Sequence, residues 1–363
     1  MEIFSGKIST FPGPLTLDFY LLTHPFFVEY RFDANFSDPA VWDTFVQAHA
    51  GPDGGLLQSW LWGEVQQAAG HWVRRIGLQD DQGALCAGWQ IITHALPAGF
   101  RYWYVPRPVG NHELGIENYG FFLEQINKLA RHERVVFLRV DGGAPALLEQ
   151  LGFRNVPGAV QPLEELHVNI ERTPDELIFA MKPKTRYNIG VAKRHGVTVE
   201  ERPLGDEAER RTLVSLVQAT AARQGIRAHP AGYYHAMGEK LGDRGHLLVA
   251  SFQGNPLAAA LLVSYHGVLT YVHGGSVERN SEVMPPYLLH WSAMELGQTI
   301  GCRVYNFGGV SSSNPGWSGL TRFKVGFSPN TKFVQYGGLQ ELPVRRAIYR
   351  FYRLAQTIRH PMT

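Results

Sequence analysis

The same order of predicted elements occurs twice along this chain. Alternating apolar and polar residues, separated by turn residues, predict three strands, a helix, a fourth strand and a short helix. In the first copy these elements are predicted at 72–79, 84–94, 101–105, 115–132, 134–140 and 144–151. The second copy has strands beginning near 246, 257 and 269, a helix over 284–300 and a strand from 302. Matching elements are about 170 residues apart, which indicates an internal duplication.

This element order resembles a known fold. Meander strands followed by a helix and a further strand, and then by a short helix leading into "LGFR" at 151–154, are the arrangement of the GNAT acyltransferase fold. We therefore expect an α/β (α+β) protein with two GNAT-like domains, which also suits a chain of 363 residues. The stretch over 157–174, where prolines flank a strand-like run, predicts the boundary between the domains.

One acid-free segment of the chain is locally basic, although the formal net charge of +2 is too small to indicate a nucleic-acid-binding protein. Thr173 and Glu176 predict the capped start of one helix, and Pro183 and Gly196 bound a second helix. No acidic residue lies between Glu176 and Glu200. The segment carries a cationic stripe, which we define as Lys182, Lys184, Arg186, Lys193 and Arg194. Helical spacing favours phosphate binding by this stripe, and a solvated helix face is the alternative.

Several other classes of protein are not indicated. Cys86 and Cys302 both lie in apolar surroundings that predict strands, so neither a disulfide nor a thiolate metal site is expected. The histidines show no recognised zinc spacing, and no metal or other cofactor is predicted. The apolar run "LTLDFYLL" at 15–22 carries Asp18 and is too short to span a bilayer, and no signal sequence surrounds it. We expect a cytoplasmic protein.

Six segments, taken in order, are similar to one family. They read "LLQSWLWGEVQQAAGHW" at 56–72, "YWYVPRPVG" at 102–110, "MKPKTRYNIGVAKRHGVTV" at 181–199, "ATAARQGIRAHPAGYY" at 219–234, "YVHGGSVERNSEVMPPYLLHWSAMELGQTIGCRVYNFGG" at 271–309 and "GLTRFKVGF" at 319–327. Together they resemble the FemABX aminoacyltransferases, which attach amino acids from aminoacyl-tRNA to peptidoglycan precursors. The resemblance extends from residue 30 to residue 359.

The resemblance also implies a domain organisation. Family members contain two GNAT-like domains, and the last segment of the chain returns to the first domain. We therefore expect a first domain of residues 1–165 plus 335–363 and a second domain of residues 166–334. Some members carry a coiled-coil arm, but 196–246 has no sustained heptad pattern, so the chain resembles the armless, FemX-like members.

The reaction implied by the resemblance is aminolysis of an ester. An amine on the third residue of a stem peptide would attack the carbonyl of aminoacyl-tRNA carrying Gly, Ala or Ser. The implied partners are aminoacyl-tRNA and either UDP-MurNAc-pentapeptide or lipid II, and no cofactor is required. We also expect a monomer, with peripheral contact to the inner face of the cytoplasmic membrane.

The resemblance points to three residues at the reacting centre. Lys324 follows Phe323 in the family segment, where an ammonium suits an oxyanion or a terminal tRNA phosphate. Phe323 is expected to shape the adjoining pocket, and Tyr271 corresponds to a pocket tyrosine of the family. From the residues alone, a solvated strand lysine is the favoured interpretation of Lys324, and Tyr271 is equally compatible with an ordinary half-buried strand tyrosine.

Four further residues are candidates for substrate binding. Arg227 resembles the family arginine that grips the diphosphate of the precursor, and Arg223 is the nearby alternative, since a guanidinium matches phosphate oxygens in pairs. Gln66 stands where related segments often carry a lysine, so it can hydrogen-bond a phosphate without neutralising it. Arg107 is available to compensate from a neighbouring loop, and a structural arginine is the alternative.

The tail "LPVRRAIYRFYRLAQTIRH" predicts a basic, aromatic helix that closes the first domain. Its predicted apolar stripe consists of Ile348, Phe351, Tyr352 and Ala355. The arginines of this helix are suited to tRNA or to an anionic membrane surface.

Two other functions compete with aminoacyl transfer. An acetyl-CoA-dependent GNAT enzyme needs a glycine-rich pyrophosphate loop, and "RPVGNHELG" at 107–115 approaches that pattern with the wrong spacing. A non-catalytic RNA-binding or cell-wall-binding protein on the same fold is the second alternative.

Overall fold

The computed structural model describes residues 29–111 and 113–359, with the side chains of 357–359 excepted. The apolar run predicted at 15–22 lies outside these residues. The first half contains β1 (Arg31–Asp33), α1 (Pro39–Ala48), α2 (Trp60–Ala68), β2 (Trp72–Gln79), β3 (Leu85–Ala95), β4 (Arg101–Pro106), α3 (Ile116–His132), β5 (Val135–Asp141), α4 (Pro145–Gln150) and β6 (Arg154–Asn155).

The second half repeats the pattern with additional helices. Its elements are β7 (Glu164–Asn169), α5 (Pro174–Ala180), α6 (Pro183–His195), β8 (Thr198–Arg202), α7 (Glu207–Gln224), α8 (Ala231–Lys240), β9 (Gly245–Phe252), β10 (Asn255–Tyr265), β11 (Val268–Ser276), α9 (Pro285–Thr299), β12 (Val304–Val310), α10 (Ser318–Val325) and β13 (Val334–Gln335). The chain then continues with β14 (Leu339–Pro343) and α11 (Arg346–Arg359).

The described strands form two seven-stranded sheets. The first has the order β1-β2-β3-β4-β5-β14-β6 and the second the order β13-β7-β12-β11-β10-β9-β8. Each sheet contains an antiparallel meander followed by one parallel pair, β4 with β5 and β11 with β12. The duplicated GNAT-like plan predicted from the sequence is therefore confirmed. Strand β14 pairs with β5 and β6, so the last segment returns to the first sheet.

The two parallel pairs differ in length. In the first sheet, β4 and β5 pair from Arg101 opposite Val135 to Pro106 opposite Asp141, with one register shift between Arg101 and Trp103. In the second sheet, pairing of β11 with β12 extends only over 268–270. A bulge also shifts the register between β11 and β10 immediately after Tyr271. The second sheet therefore opens at Tyr271, whereas the corresponding strands of the first sheet remain paired.

The two halves of the chain share an apolar core. Trp42 on α1 and Trp62 on α2 belong to the same buried cluster as Leu216 on α7, Tyr234 on α8 and Val263 on β10. Burial of large side chains from both halves stabilises one arrangement of the two sheets. This packed core between the two sheets can therefore hold site residues from both halves of the chain in fixed positions.

The local signals for helix ends are confirmed around the cationic stripe. Thr173 accepts from the backbone N–H of Glu176 at 3.3 Å, and the Glu176 carboxylate accepts from the backbone N–H of Thr173 at 2.9 Å. Pro183 opens α6, and Gly196 ends it with a φ of 80°, a left-handed conformation that favours glycine. The sequence therefore determines these two helix boundaries locally.

Three sequence-based expectations about elements were wrong. Cys302 lies before β12, which begins at Val304, because the N–H of Cys302 caps the carbonyl of Gly297 at 2.8 Å. Lys324 lies on helix α10 and not on a strand. In α11 the residues turned inward are Tyr349 and Tyr352, which pack on Phe137 at 5.5 and 5.0 Å between ring centroids.

Two members of the stripe predicted for α11 lie on its solvent side instead. Phe351 and Ala355 are exposed, whereas Ile348 and Tyr352 are half-buried as expected. The division of the chain at 165/166 and 334/335 stays a prediction. Within the described part of the chain, no helix is long and apolar enough to cross a lipid bilayer.

Candidate active site

Two cavities meet at Tyr271. The inter-sheet cavity, about 410 Å³, is lined from the first half by Gln66, Tyr104 and Arg107 and from the second half by Glu165, Tyr271 and His273. The helix-side cavity, about 300 Å³, is lined by Arg223, Tyr271, His290, Phe323 and Lys324. Tyr271 lies where β11 parts from β12, so its side chain borders both spaces. Burial raises the pKa of Tyr271 to about 12, which keeps the phenol protonated at neutral pH.

Lys324 is a buried lysine at the wall of the helix-side cavity. Its residue is 4% exposed, so the alternative of a solvated lysine is excluded. The ammonium Nζ donates to the Gly309 carbonyl oxygen at 2.7 Å and lies 5.7 Å from the centre of the Tyr271 ring. Burial lowers the pKa of Lys324 to about 8, although the negative charge of Glu165 opposes this shift. The group is therefore mostly an ammonium at pH 7.

The backbone that holds Lys324 is built on glycine. A Cβ at Gly309 would come within 2.8 Å of Pro162 and of Trp317, so a larger residue there would displace its neighbours. Gly308, one residue earlier, has a φ of 69°, which favours glycine over other residues. The Gly308-Gly309 pair lets β12 approach Pro162 and places the carbonyl that orients the Lys324 ammonium.

Aromatic rings surround Phe323, which the sequence had placed beside the reacting centre. Phe323 packs edge-to-face on Tyr287 at 5.0 Å and on His290 at 5.5 Å between centroids. His290 Nδ1 is 2.7 Å from the Tyr305 hydroxyl, and its ring lies 4.9 Å from that of Tyr271. Burial, aided by the charge of Lys324, lowers the pKa of His290 to about 3. A neutral imidazole therefore supports the Tyr271 ring.

A buried ionic network connects the inter-sheet cavity with the Lys324 region. Glu165 accepts from Arg107 at 2.9 Å and from Asn306 at 2.8 Å, and it lies 2.9 Å from His167 Nε2. Burial opposes ionisation of Glu165, but the hydrogen bond from His167 and the charge of Arg107 outweigh it and lower its pKa. The Arg107 guanidinium also lies 3.2 Å from the centre of the Tyr336 ring. Arg107 therefore serves as a structural cation at this cavity.

Besides the ionic network, Asp53 and a set of apolar side chains, the inter-sheet cavity is lined by amides, phenols and imidazoles. Gln66 is buried and lies 3.4 Å from the Tyr233 hydroxyl. Burial, together with the neighbouring His71, lowers the pKa of His94 to about 4. Burial, together with His229, lowers the pKa of His273 to about 3. Neutral imidazoles, phenols and an amide thus form a surface suited to hydroxyl and amide groups of a ligand.

The two arginine candidates lie in different places. Arg223, near the end of α7, donates to the Ser276 carbonyl at 2.9 Å and lines the helix-side cavity. Arg227 is exposed on the loop that follows, two residues before His229, which lines the inter-sheet cavity. The sequence treated them as alternatives for one phosphate group, but only Arg223 lines one of the two cavities, and Arg227 lines neither.

The cationic stripe begins beside the segment that carries Lys324. The backbone N–H of Lys182, at the start of α6, donates to the Gly326 carbonyl at 2.9 Å. Arg186 differs from the other members, because its guanidinium donates to the carbonyls of Phe179 and Met181 at the end of α5. The members with exposed side chains are Lys182, Lys184, Lys193 and Arg194. Phe179 and Tyr187, which are 82% and 64% exposed, add two aromatic rings to this surface.

Comparison of the chain with protein families identifies its relatives. The sequence model of the FemAB family matches residues 38–155, 152–255 and 252–357. The chain belongs to the FemAB family. Its predicted membership is thus confirmed, and the matches cover both halves of the fold.

Curated FemAB relatives transfer amino acids. The chain is 25% identical over 244 residues to the lipid II:glycine glycyltransferase of Staphylococcus saprophyticus, in a match covering 62% of this chain and 57% of the relative. It is 22% identical over 300 residues to the UDP-N-acetylmuramoylpentapeptide-lysine N(6)-alanyltransferase of Weissella viridescens, covering 77% of this chain and 87% of the relative. The chain therefore spans little more than half of the glycyltransferase.

Solved structures support the same fold. The crystal structure of FemX has a TM-score of 0.74 and 18% identity, covering 88% of this chain and 99% of FemX. A tandem GNAT protein from the clavulanic acid biosynthesis pathway has a TM-score of 0.53 and 12% identity, covering 87% of this chain and 99% of that protein. The FemAB chain thus has the architecture of two GNAT-like domains.

Sequence reasoning missed two groups in this FemAB site. His290 lies in the run "LLHWSA", whose apolar residues predict a helix core. Its place in the wall of the helix-side cavity and its contacts with Tyr305 and Tyr271 arise only in the folded chain. Glu165 was overlooked because its partners Arg107 and Asn306 lie 58 and 141 residues away in the chain. No local signal in the sequence brings these groups together.

Proposed function

We propose that this FemAB protein is a tRNA-dependent aminoacyltransferase that acts on a peptidoglycan precursor. The observation that carries the proposal is the position of Tyr271 and Lys324 at the junction of two cavities. A reaction between two large substrates needs two binding spaces that meet at the reacting atoms. The donor is aminoacyl-tRNA, and the acceptor amine belongs to the third residue of the stem peptide of UDP-MurNAc-pentapeptide or lipid II.

The inter-sheet cavity is the proposed acceptor site. Its neutral imidazoles, phenols and the Gln66 amide match the hydroxyls and amides of a sugar-linked peptide. Arg227, two residues before the lining residue His229, is the proposed contact for the diphosphate. Gln66 is available to donate one hydrogen bond there, but it adds no charge.

The helix-side cavity is the proposed site of the aminoacyl ester. Arg223 lines it and supplies a cation for a phosphate of the terminal nucleotides. The cationic stripe starts beside Gly326, two residues beyond Lys324, and offers further phosphate contacts through its exposed members. Phe179 and Tyr187 provide exposed rings on which unpaired bases of the acceptor end can stack.

In the proposed reaction, the amine nitrogen forms a bond to the ester carbonyl carbon. The resulting tetrahedral oxyanion collapses, the carbon–oxygen bond to the ribose breaks, and the proton lost by the amine ends on the ribose hydroxyl. Lys324 has N–H groups beyond the one given to Gly309, and these are the proposed donors to the oxyanion. The protonated Tyr271 hydroxyl is the second proposed donor at the junction.

Acetyl-CoA-dependent acylation is less well supported. The loop that would hold the pyrophosphate in the first half begins at Arg107, whose guanidinium is buried against Glu165. The backbone N–H of Asn111 in the same loop is taken by the Tyr119 hydroxyl at 2.7 Å. Strands β4 and β5 also stay paired to Pro106, without the opening seen at Tyr271. A non-catalytic binding protein is the remaining alternative, and a transfer assay distinguishes it from an enzyme.

The test is a reconstituted transfer reaction. Purified protein is mixed with tRNA charged separately with glycine, alanine or serine and with UDP-MurNAc-pentapeptide, and the product mass is measured. Addition of one amino acid to the precursor by wild-type protein, and its loss in Lys324→Met, supports the proposal. No added mass with any donor, in parallel with acetylation by acetyl-CoA, would overturn it in favour of the acetyltransferase. Binding of both substrates without transfer would favour the non-catalytic class.

A further inference from the structure

The solvent side of helix α11 is apolar. Phe351 and Leu354 are 71% and 59% exposed, and Ala347 and Ala355 are exposed on the same side. The spacing of these four residues follows one helical face. The opposite face is already used, since Tyr349 and Tyr352 pack on Phe137 of the first sheet. The exposed ridge, defined as Ala347, Phe351, Leu354 and Ala355, therefore lacks a covering element within residues 29–111 and 113–359.

Arginines flank this exposed ridge. Arg346 and Arg350 lie exposed on α11 itself, and the sequence from residue 342 to residue 363 contains no Asp or Glu. The side chain of Arg345 donates to the backbone carbonyl of Arg131, at the end of α3. Arg131 and Arg134 are also exposed. The beginning of α11 therefore lies against a second group of cations at the same end of the first sheet.

A tryptophan extends the surface along that end of the sheet. Trp72 at the start of β2 is 69% exposed, and the Arg101 guanidinium lies 5.2 Å from the centre of its ring. The backbone N–H of Arg101 donates to the Arg134 carbonyl at 3.4 Å, which links Trp72 to the arginines beside α11. Glu133, the acidic residue at this edge, is paired with Arg74 at 2.6 Å. Aromatic and aliphatic side chains thus alternate with arginines around an edge of net positive charge.

We propose that the exposed ridge of α11, together with Arg346, Arg350 and the Trp72 edge, docks on an anionic phospholipid membrane. A helix with one apolar face flanked by arginines lies in the plane of the membrane interface, with its apolar residues inserted below the headgroups. Arginines near the surface are attracted by the negative potential of the lipids, and tryptophan favours the interfacial region. This inference rests on the proposed function for its purpose, which is access to a lipid-linked acceptor.

Charge favours a membrane over other occupants. A second copy of the chain would present the same arginines and repel the first, because an isologous contact places identical surfaces together. A nucleic acid would use the arginines but would leave Phe351 and Leu354 exposed to water. A phospholipid surface satisfies both the cations and the apolar side chains, and it does so without a specific groove.

The test is sedimentation with lipid vesicles. Full-length protein is mixed with vesicles of one part phosphatidylglycerol to two parts phosphatidylcholine, or with pure phosphatidylcholine. We expect binding to the anionic vesicles, and the double variant Phe351→Ser/Leu354→Ser should weaken it roughly tenfold or more. Arg346→Gln and Arg350→Gln should each weaken it about fivefold and leave binding to phosphatidylcholine unchanged. Ile300→Ser, which alters an exposed apolar residue of the second half, is the matched control.

The outcomes separate the inference from the proposed function. Equal binding of wild type and the double variant to anionic vesicles, or no binding by wild type, overturns membrane docking. A dimer of wild type in light scattering that the double variant loses, without vesicle binding, assigns the ridge to a second copy. Transfer to the water-soluble precursor is measured in parallel and should be unchanged in the double variant. Absence of that transfer in wild type would overturn the proposed function, and the vesicle experiment would then test membrane docking by itself.

Discussion

The ammonium of Lys324 lies 5.7 Å from the centre of the Tyr271 ring, and the two residues come from different elements of the second half. Tyr271 sits at the opening of β11, whereas Lys324 reaches it from α10. The Gly309 carbonyl fixes the ammonium at 2.7 Å, so the lysine is directed before any substrate binds. A preoriented cation at the junction of two cavities is an arrangement that stabilises developing negative charge without reorganisation.

Lys324→Met should abolish transfer and yet stabilise the fold. The charge of Lys324 is buried, and its pKa is lowered from 10.5 to about 8, so the ammonium costs on the order of 3 kcal/mol at pH 7. Loss of the hydrogen bond to Gly309 reduces the gain, and we expect a free energy of unfolding about 1–2 kcal/mol higher. Urea unfolding measures the stability and single-turnover transfer measures the activity. A fully active Lys324→Met protein would remove Lys324 from the mechanism.

Transfer should decline as pH rises through about 8, where the Lys324 ammonium is lost. Stability changes in the opposite direction. Between the folded pKa of about 8 and the unfolded value of 10.5, the unfolded chain binds more protons, so the free energy of unfolding rises with pH. The comparison is the pH dependence of transfer and of urea unfolding in wild type and Lys324→Met. An unchanged rise in stability in the variant would contradict the assignment of this titration to Lys324.

The fold was predictable because its signals are local and repeated. The apolar alternation of β2, β3, β9 and β10 occurs within single segments, as do the capping box at Thr173 and the glycine at 196. The role of the last segment followed from the family resemblance, and β14 pairs in the first sheet as that resemblance implied. Boundaries shifted by only a few residues, as at the strand that begins at Val304.

The candidate site was less predictable because tertiary contacts create it. Gly319 and Gly326 lie on either side of "LTRFKV", and glycine lowers helix propensity. The segment therefore resembles a turn and a strand in sequence, although it forms α10. Burial of Lys324 depends on a carbonyl 15 residues away, and the Arg107–Glu165 pair spans 58 residues. In α11 both faces carry apolar residues, and contact with Phe137 selects the tyrosine face. Hydrophobic periodicity alone therefore does not predict which face of α11 is buried.

Gly309→Ala should damage both stability and transfer. The new methyl group would approach Pro162 and Trp317 to 2.8 Å, and overpacking of this size costs about 1–3 kcal/mol. Movement of the Gly309 carbonyl would also release the Lys324 ammonium, so we expect the turnover rate to fall at least tenfold. Gly319→Ala is the matched control, because a Cβ there meets nothing within 4 Å and alanine favours the helix. Equal effects of the two substitutions would show that the crowding at Gly309 is unimportant.

Glu165→Gln should destabilise the protein by about 3 kcal/mol or more. It leaves the buried Arg107 guanidinium without its ionic partner, and an unpaired buried charge is costly. The pKa of Glu165 is lowered in the folded state, so its contribution is present above the ordinary value of 4.5 and is lost as pH falls below it. Acid unfolding of wild type and variant measures this difference. If Arg107→Met added to Glu165→Gln costs as much as it does in wild type, the two residues are not coupled.

Members of the cationic stripe should differ in their effect on tRNA binding. Lys193 is exposed, so Lys193→Gln should weaken binding and reduce the slope of log affinity against log salt by about one unit. Arg186 is tied to the carbonyls of Phe179 and Met181, so Arg186→Gln should lower the unfolding free energy by about 1–2 kcal/mol and leave the slope nearly unchanged. Filter binding over a salt series, together with urea unfolding, separates the two effects. Identical slopes for wild type and Lys193→Gln would place the RNA on another surface, because each lost phosphate contact must appear in the salt dependence.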